Sequence, residues 1–210
     1  MGTSRVEAGH FLLKNMYHTY KVTVAPASEP ITLTEAKAQL RVESDETADD
    51  TWITTALTIV REQVEALTNR SIMPQTLELA ISSFQDVIQL PKPPYTSLTS
   101  ITYYDEDNAS QTLSSALYLV NDFIEPAEVV KESAQSYPAV YDRPDAIRLT
   151  FVAGYANAAA VPASIKQAML MLLTDLYDNR SGTTSQFSSV SVKWTPAILN
   201  LLSTNKTHLY

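Results

Sequence analysis

The chain has 210 residues and a mass of 23.2 kDa, enough for one ordinary domain with arms or for two small lobes. It carries 15 basic and 23 acidic side chains, a formal net charge of -8, with no cysteine and four glycines. The acidity argues against holding nucleic acid by phosphate neutralisation, the missing cysteines exclude disulfides and thiolate metal sites, and so few glycines argue against a glycine-rich phosphate cradle. The three histidines, His10, His18 and His208, lie near the ends, which disfavours a histidine-based catalytic core. A hydrophobic fraction of 45% supports a real core. No segment has the length and apolarity of a membrane span, and the N-terminus does not read as a secretory signal, so the cytoplasm of the producing cell is the simplest compartment. Charge is uneven: residues 1–180 carry 13 basic and 23 acidic side chains, a balance of -10, while residues 181–210 carry Lys193 and Lys206 and no acid.

Residues 1–30 read as an arm, with a short strand at Tyr20–Val24 and interruptions at Pro26 and Pro30. Thr32 and Glu35 have capping-box spacing and open a short helix through Leu40. The acidic run Glu43, Asp45, Glu46, Asp49 and Asp50 reads as a solvated loop leading into the negative first turn of a helix. The alternative, a calcium loop, lacks its turn glycine. From Asp49 to Asn69, Trp52, Ile53, Ala56, Leu57, Val60, Val64 and Leu67 form one apolar stripe, with Arg61 and Glu65 as an outer ion pair and Asn69 as a left-handed cap. Past Pro74 the period changes to two, and strands are expected at Leu77–Ile81, Leu98–Tyr104, Leu117–Val120 and Ala146–Val152. Residues 105–108 make a hairpin turn, and the proline-rich stretch 121–144 reads as irregular. Val161-Pro162 opens a second strong helix on Ile165, Ala168, Met169, Leu172, Leu173, Leu176 and Tyr177. A Ser/Thr-rich linker, 181–191, leads to an apolar group, Trp194, Ile198, Leu199, Leu201 and Leu202, which docks on its own subunit or on a partner.

Motifs for chemistry are sparse. Asp105, Glu106 and Asp107 offer carboxylates for a divalent cation, but an Asx-rich turn uses the same residues for conformational reasons. Ser203 and Lys206 have SxxK spacing without its companion motifs. The arginines Arg41, Arg61, Arg70, Arg143, Arg148 and Arg180 are scattered among acids with no recognition helix. Eleven tyrosines, among them Tyr103, Tyr104, Tyr118, Tyr137, Tyr141, Tyr155 and Tyr177, suit either interface anchoring or the edge of a core. No catalytic, cofactor or metal residues are assigned.

The order of several segments resembles the tailed-phage head–tail connector (adaptor) proteins, gp6-like or gp8-like, over roughly residues 31–202. The pieces are Ile31–Lys37 with Leu40-Arg41-Val42, Glu65–Arg70, Gln75-Thr76, Leu90-Pro91, Ser97–Ile101 with Tyr103-Tyr104-Asp105, Ile147–Phe151, Ala153-Gly154-Tyr155, Val161-Pro162, Ile165–Ala168 and Leu176–Arg180. Asn69 stands where relatives usually carry glycine. The resemblance implies an α+β fold: a mainly helical adaptor core with an inserted small antiparallel β region and extended terminal arms. On that frame residues 1–30 are the N-terminal arm, 31–74 the helical part of the core, 75–152 the inserted β region, 153–180 the core helix, and 181–210 the linker and C-terminal docking segment. It also implies a non-enzymatic virion protein of the neck, assembled in the host cytoplasm. Its subunits, commonly twelve, form a ring below the portal and offer a surface to a stopper or tail-completion protein. Packaged DNA passes through the ring without specific binding. Portal docking then falls to Trp194, Ile198, Leu199, Leu201 and Leu202. A domain of about 150 residues has a radius of gyration of about 15 Å, so twelve subunits roughly 28 Å wide give a ring about 107 Å in mean diameter, wide enough for a duplex channel. Other readings are a β-richer neck component, such as a stopper or tail-completion protein, and an enzyme built on scattered carboxylates.

Overall fold

In a computed structural model, the structure describes residues 19–180 and 194–207. Strand β1 (Thr19–Val24) precedes helix α1 (Leu33–Leu40) and the long helix α2 (Asp50–Thr68). Strands β2 (Gln75–Ile81), β3 (Val87–Gln89), β4 (Tyr95–Tyr104), β5 (Ser110–Thr112), β6 (Tyr118–Asn121), β7 (Glu128–Lys131) and β8 (Ile147–Ala153) follow. Helix α3 (Ala163–Asp178) and helix α4 (Pro196–Ser203) complete the described chain.

Local chemistry explains the helix ends. Thr32 accepts from the Glu35 amide while the Glu35 carboxylate accepts from the Thr32 amide, a reciprocal capping box. Asn69 closes α2 in the left-handed region at φ 56, which its short polar side chain tolerates. Pro196 sits in the first turn of α4, where a missing amide costs nothing, and Thr195 caps the helix through the Ile198 amide. The stripes of α2 and α3 meet: Ile53, Leu57, Val60 and Val64 are buried with Ile165, Met169, Leu172 and Leu173 in one helical core. Leu176, at the outer end of the stripe, is only partly buried.

Among the described residues all strand pairs are antiparallel and form two sheets, ordered β1-β2-β8-β4-β5 and β3-β7-β6. Leu77, Leu79 and Ile81 lie directly opposite Phe151, Leu149 and Ile147, so the period-two pattern puts all six on one face. Ile88, Leu90 and Val129 from the small sheet's side share that buried core.

The expectation of a mainly helical core with a small β insert is wrong. Of the described residues 33% are helical and 25% are in strands, with two antiparallel sheets and a core of their own. Nor is the sheet wholly an insert, because its edge strand β1 comes from before α1 and pairs with β2. The stretch 121–144 is not wholly irregular either: β7 lies within it, as the central strand of the small sheet. Strands of three or four residues carry too few positions to show a period, so pairing partners rather than local pattern define them.

Candidate interaction surfaces

A polar junction joins the helical lobe to the sheets. Arg61 donates to Glu29 at 2.8 Å and to Glu65 at 3.0 Å, and Glu65 also accepts from the Ile72 amide at 2.7 Å. Lys92 donates to the Glu65 carbonyl at 3.0 Å. Arg61 and Glu65 are 5% and 8% exposed, so the pair expected on the outer side of α2 is buried instead. The reason is that α2 presents its apolar stripe to α3 and this second face to the start of β2. Burial pushes the Glu65 carboxyl up, opposed by the Ile72 amide and Arg61, and pushes the Lys92 ammonium down, opposed by Glu65. These residues border an open cleft of about 610 Å³ floored by Tyr20, Val22 and Leu77.

Arg70 makes a second hub. Its guanidinium forks onto both carboxylate oxygens of Glu125, Nη2 to Oε2 at 2.8 Å, and its Nε donates to the carbonyl of Asn205. Asn205 Nδ2 donates to Ser164 Oγ at 3.0 Å, and the Thr207 amide donates to the Thr68 carbonyl at 3.0 Å. The end of α2, the start of α3, the segment after α4 and the loop after β6 are thereby tied together.

The five residues expected to dock behave differently from one another. Ile198 and Leu202 are 2% and 0% exposed in the helical core, and Trp194 and Leu201 pack against that core. Leu199 is half-buried. Helix α4 therefore lies on α3 of its own chain, and only the outer surfaces of Trp194, Leu199 and Leu201 face away. The linker 181–191 lies outside the described residues.

The acidic run is organised by a lysine. Lys37, 6% exposed, donates to the carbonyls of Ser44 and Glu46 and pairs with Asp50 at 2.5 Å. Asp49 instead reaches α3: Arg180 forks onto it at 2.8 and 2.6 Å, and Tyr177 donates its hydroxyl at 2.7 Å. Arg180 also lies over the rings of Trp52 and Tyr177, 4.6 and 4.0 Å from their centroids. The hydrogen bonds from Arg180 and then Tyr177 lower the Asp49 pKa to about 2. A carboxyl depressed on folding stabilises above its unfolded pKa and stops doing so as pH falls through its folded value. An acid titration of tryptophan fluorescence should therefore show a step near pH 2 that Asp49→Asn abolishes. An unchanged step in that variant would mean that this cluster does not hold α2 to α3.

The remaining chemical candidates resolve into local structure. Asp105 accepts from the amides of Asp107 and Ala109 and from the Gln111 side chain, so its carboxylate shapes the β4–β5 turn. Ser203 donates to the Asn200 carbonyl inside α4. Among the described residues no group of three or more His, Cys, Asp or Glu side chains is placed to hold a metal. The tyrosines divide: Tyr137 stacks on Phe84 at 4.3 Å beside the sheet core, Tyr104 lies beneath Arg143, and Tyr141 is 43% exposed.

Sequence reasoning passed over Phe123. It is 98% exposed, followed by Ile124 at 44%, in the loop after β6. The available signal was an adjacent aromatic and aliphatic pair between acidic residues in a stretch with no helical or strand period.

No family model matches the chain, and no curated protein matches it. Solved structures do. A chain in the neck of an empty gene transfer agent particle, computed with C6 symmetry, has a TM-score of 0.73 at 17% identity, covering 91% of this chain and 97% of that one. A chain in the virion of the native gene transfer agent particle gives 0.71 at 17% identity, with the same 91% and 97% coverage. One in the neck of the native particle, computed with C12 symmetry, gives 0.66 at 15% identity, again covering 91% and 97%. Identities this low establish a shared fold, and the coverage shows that it extends over nearly the whole of both chains.

Proposed function

We propose that this chain is a structural subunit of the neck of a phage-like particle, a head–tail connector (adaptor) that forms a ring below the portal. The carrying observation is the likeness, over 91% of this chain and 97% of the other, to a chain in a particle neck computed with C6 symmetry. A second such neck was computed with C12 symmetry, which supports a ring commonly of twelve. The order of segments that resembles the adaptor proteins points the same way. In this reading the role is mechanical rather than catalytic. The ring extends the DNA channel and gives a stopper or tail-completion protein its seat. Contact with the portal involves the C-terminal segment, through Trp194 and the outward side of Leu199, since Ile198 and Leu202 are already buried at home.

Mixing the purified protein with its portal ring and weighing the complexes by mass photometry tests this. A discrete complex, heavier than the portal by an integral number of 23.2 kDa subunits, is expected. Portal that stays at its own mass would contradict the adaptor role.

The acidity suits a conduit, because like charge keeps phosphate from sticking to the wall. The isolated protein should bind duplex DNA no more tightly than about 10⁻⁴ M at physiological salt, as measured by fluorescence anisotropy. Submicromolar, salt-sensitive binding would contradict a passive channel.

A further inference from the structure

A ring of identical subunits needs two different, complementary faces on each copy. We propose that Phe123 and Ile124 form a knob that seats in the groove between α1 and α3 of the next copy of this chain, with Asp122 facing Lys166 across the contact. This rests on the ring proposed above and names the surfaces that close it.

The knob is preorganised. Glu125 at its base is gripped by Arg70, and the Phe123 amide donates to the Asn121 side chain at 3.3 Å. Phe123 nevertheless stands 98% exposed, which leaves a whole phenyl ring in water. The groove is open to solvent, is lined by Ile31, Glu35, Ala38, Gln39, Lys166 and Leu170, has mostly apolar walls, and offers about 390 Å³. A cavity of roughly 150 Å³ already accepts a benzene ring, so the groove has space for Phe123 with part of Ile124. Gln39 bonds to Thr174 at 3.2 Å and ties α1 to α3 beside the groove.

Charge fits as well. Among the described residues neither Asp122 nor Lys166 makes a salt bridge; Lys166 shares the groove with Glu35, on which it already acts, and Asp122 would meet it there as a second carboxylate. Position fits too. The knob shares one pocket with Arg70 and Asn205, and Asn205 bonds to Ser164 of α3. The groove uses Lys166 and Leu170 of the same helix. At about 100° per residue those positions lie about 200–240° around α3 from Ser164, so knob and groove are on opposite sides of it. Opposed faces are what a head-to-tail ring requires, whereas a two-fold dimer would pair a face with itself.

The absence of cysteine makes a clean cross-linking test possible. The protein carrying both Phe123→Cys and Ala38→Cys is assembled, alone or on its portal, then oxidised and run on a non-reducing gel. A ladder of covalent multimers is expected from the double variant, dimers from an equal mixture of the two single variants, and monomers from each single variant. Self-linked dimers of the Phe123→Cys variant alone would overturn the proposal in favour of a two-fold contact. Rings that form without a ladder would overturn it while leaving the neck reading intact. Failure of the unmodified chain to form rings with or without portal would remove both. As a second measure, Phe123→Ser should weaken ring assembly about tenfold or more with an unchanged melting temperature. Unaltered assembly would also overturn the proposal.

Discussion

Removal of residues 192–210 should lower the melting temperature by about 10 °C or more. Helix α4 contributes Ile198 and Leu202 to the helical core, both essentially fully buried, with Trp194 and Leu201 packed beside them. Each fully buried aliphatic side chain is worth about 1.5–3 kcal/mol, so the first two alone represent about 3–6 kcal/mol. A loss of about 1 kcal/mol shifts the midpoint by about 2–8 °C. The truncation also removes the Asn205 carbonyl from Arg70 and the Thr207 amide from Thr68. Differential scanning fluorimetry reads the outcome. A truncated protein that keeps its melting temperature but no longer joins the portal would show α4 to be an arm that works on a partner rather than a part of this core.

Gly154→Ala should destabilise the fold by about 3 kcal/mol or more, read as a lower urea midpoint with an unchanged slope. Gly154 has φ +125 at the corner where β8 leaves the sheet, a region closed to ordinary side chains. A Cβ there would lie 2.3 Å from the Met73 carbonyl oxygen and 2.7 Å from the Pro74 nitrogen, both backbone atoms that have nowhere to go. The same residue donates its amide to Pro94 and accepts from Thr96, so the α2–β2 connection, the start of β4 and the end of β8 meet at this point. A loss under about 1 kcal/mol would mean that this corner yields easily and is not what orients the sheets against the helices.

The legible parts of the fold were those with a long period or a local hydrogen-bond logic. Leu57, Val60, Val64, Leu172 and Leu176 repeat over many turns, and spacing alone places them in the core; the structure buries the first four and leaves Leu176 only partly buried. Thr32 with Glu35, and Asn69 after α2, announce helix ends because their side chains act within a few residues. The alternation of Leu77, Leu79 and Ile81 is likewise visible without partners. What spacing does not encode is which polar residue faces another element. Arg61 and Glu65 have the same four-residue offset whether they face water or the Ile72 amide. Lys37 looks like a surface lysine until the acidic loop wraps its ammonium group. The excess of sheet over expectation has the same origin, since β3 and β7 take shape only through pairing, β7 between β3 and β6. Of the expected docking residues, spacing marked all five as apolar but did not separate Ile198 and Leu202, which point inward, from the more exposed Leu199.

Locating the chain in an assembled particle tests the account most directly. Particles that carry this protein with a C-terminal tag, decorated with a gold-labelled antibody to the tag and imaged by electron microscopy, should show label at the head–tail junction. Averaging of that junction should show density for this fold repeated around the channel axis. Label spread over the capsid shell, or confined to the tail tip, would contradict the neck assignment.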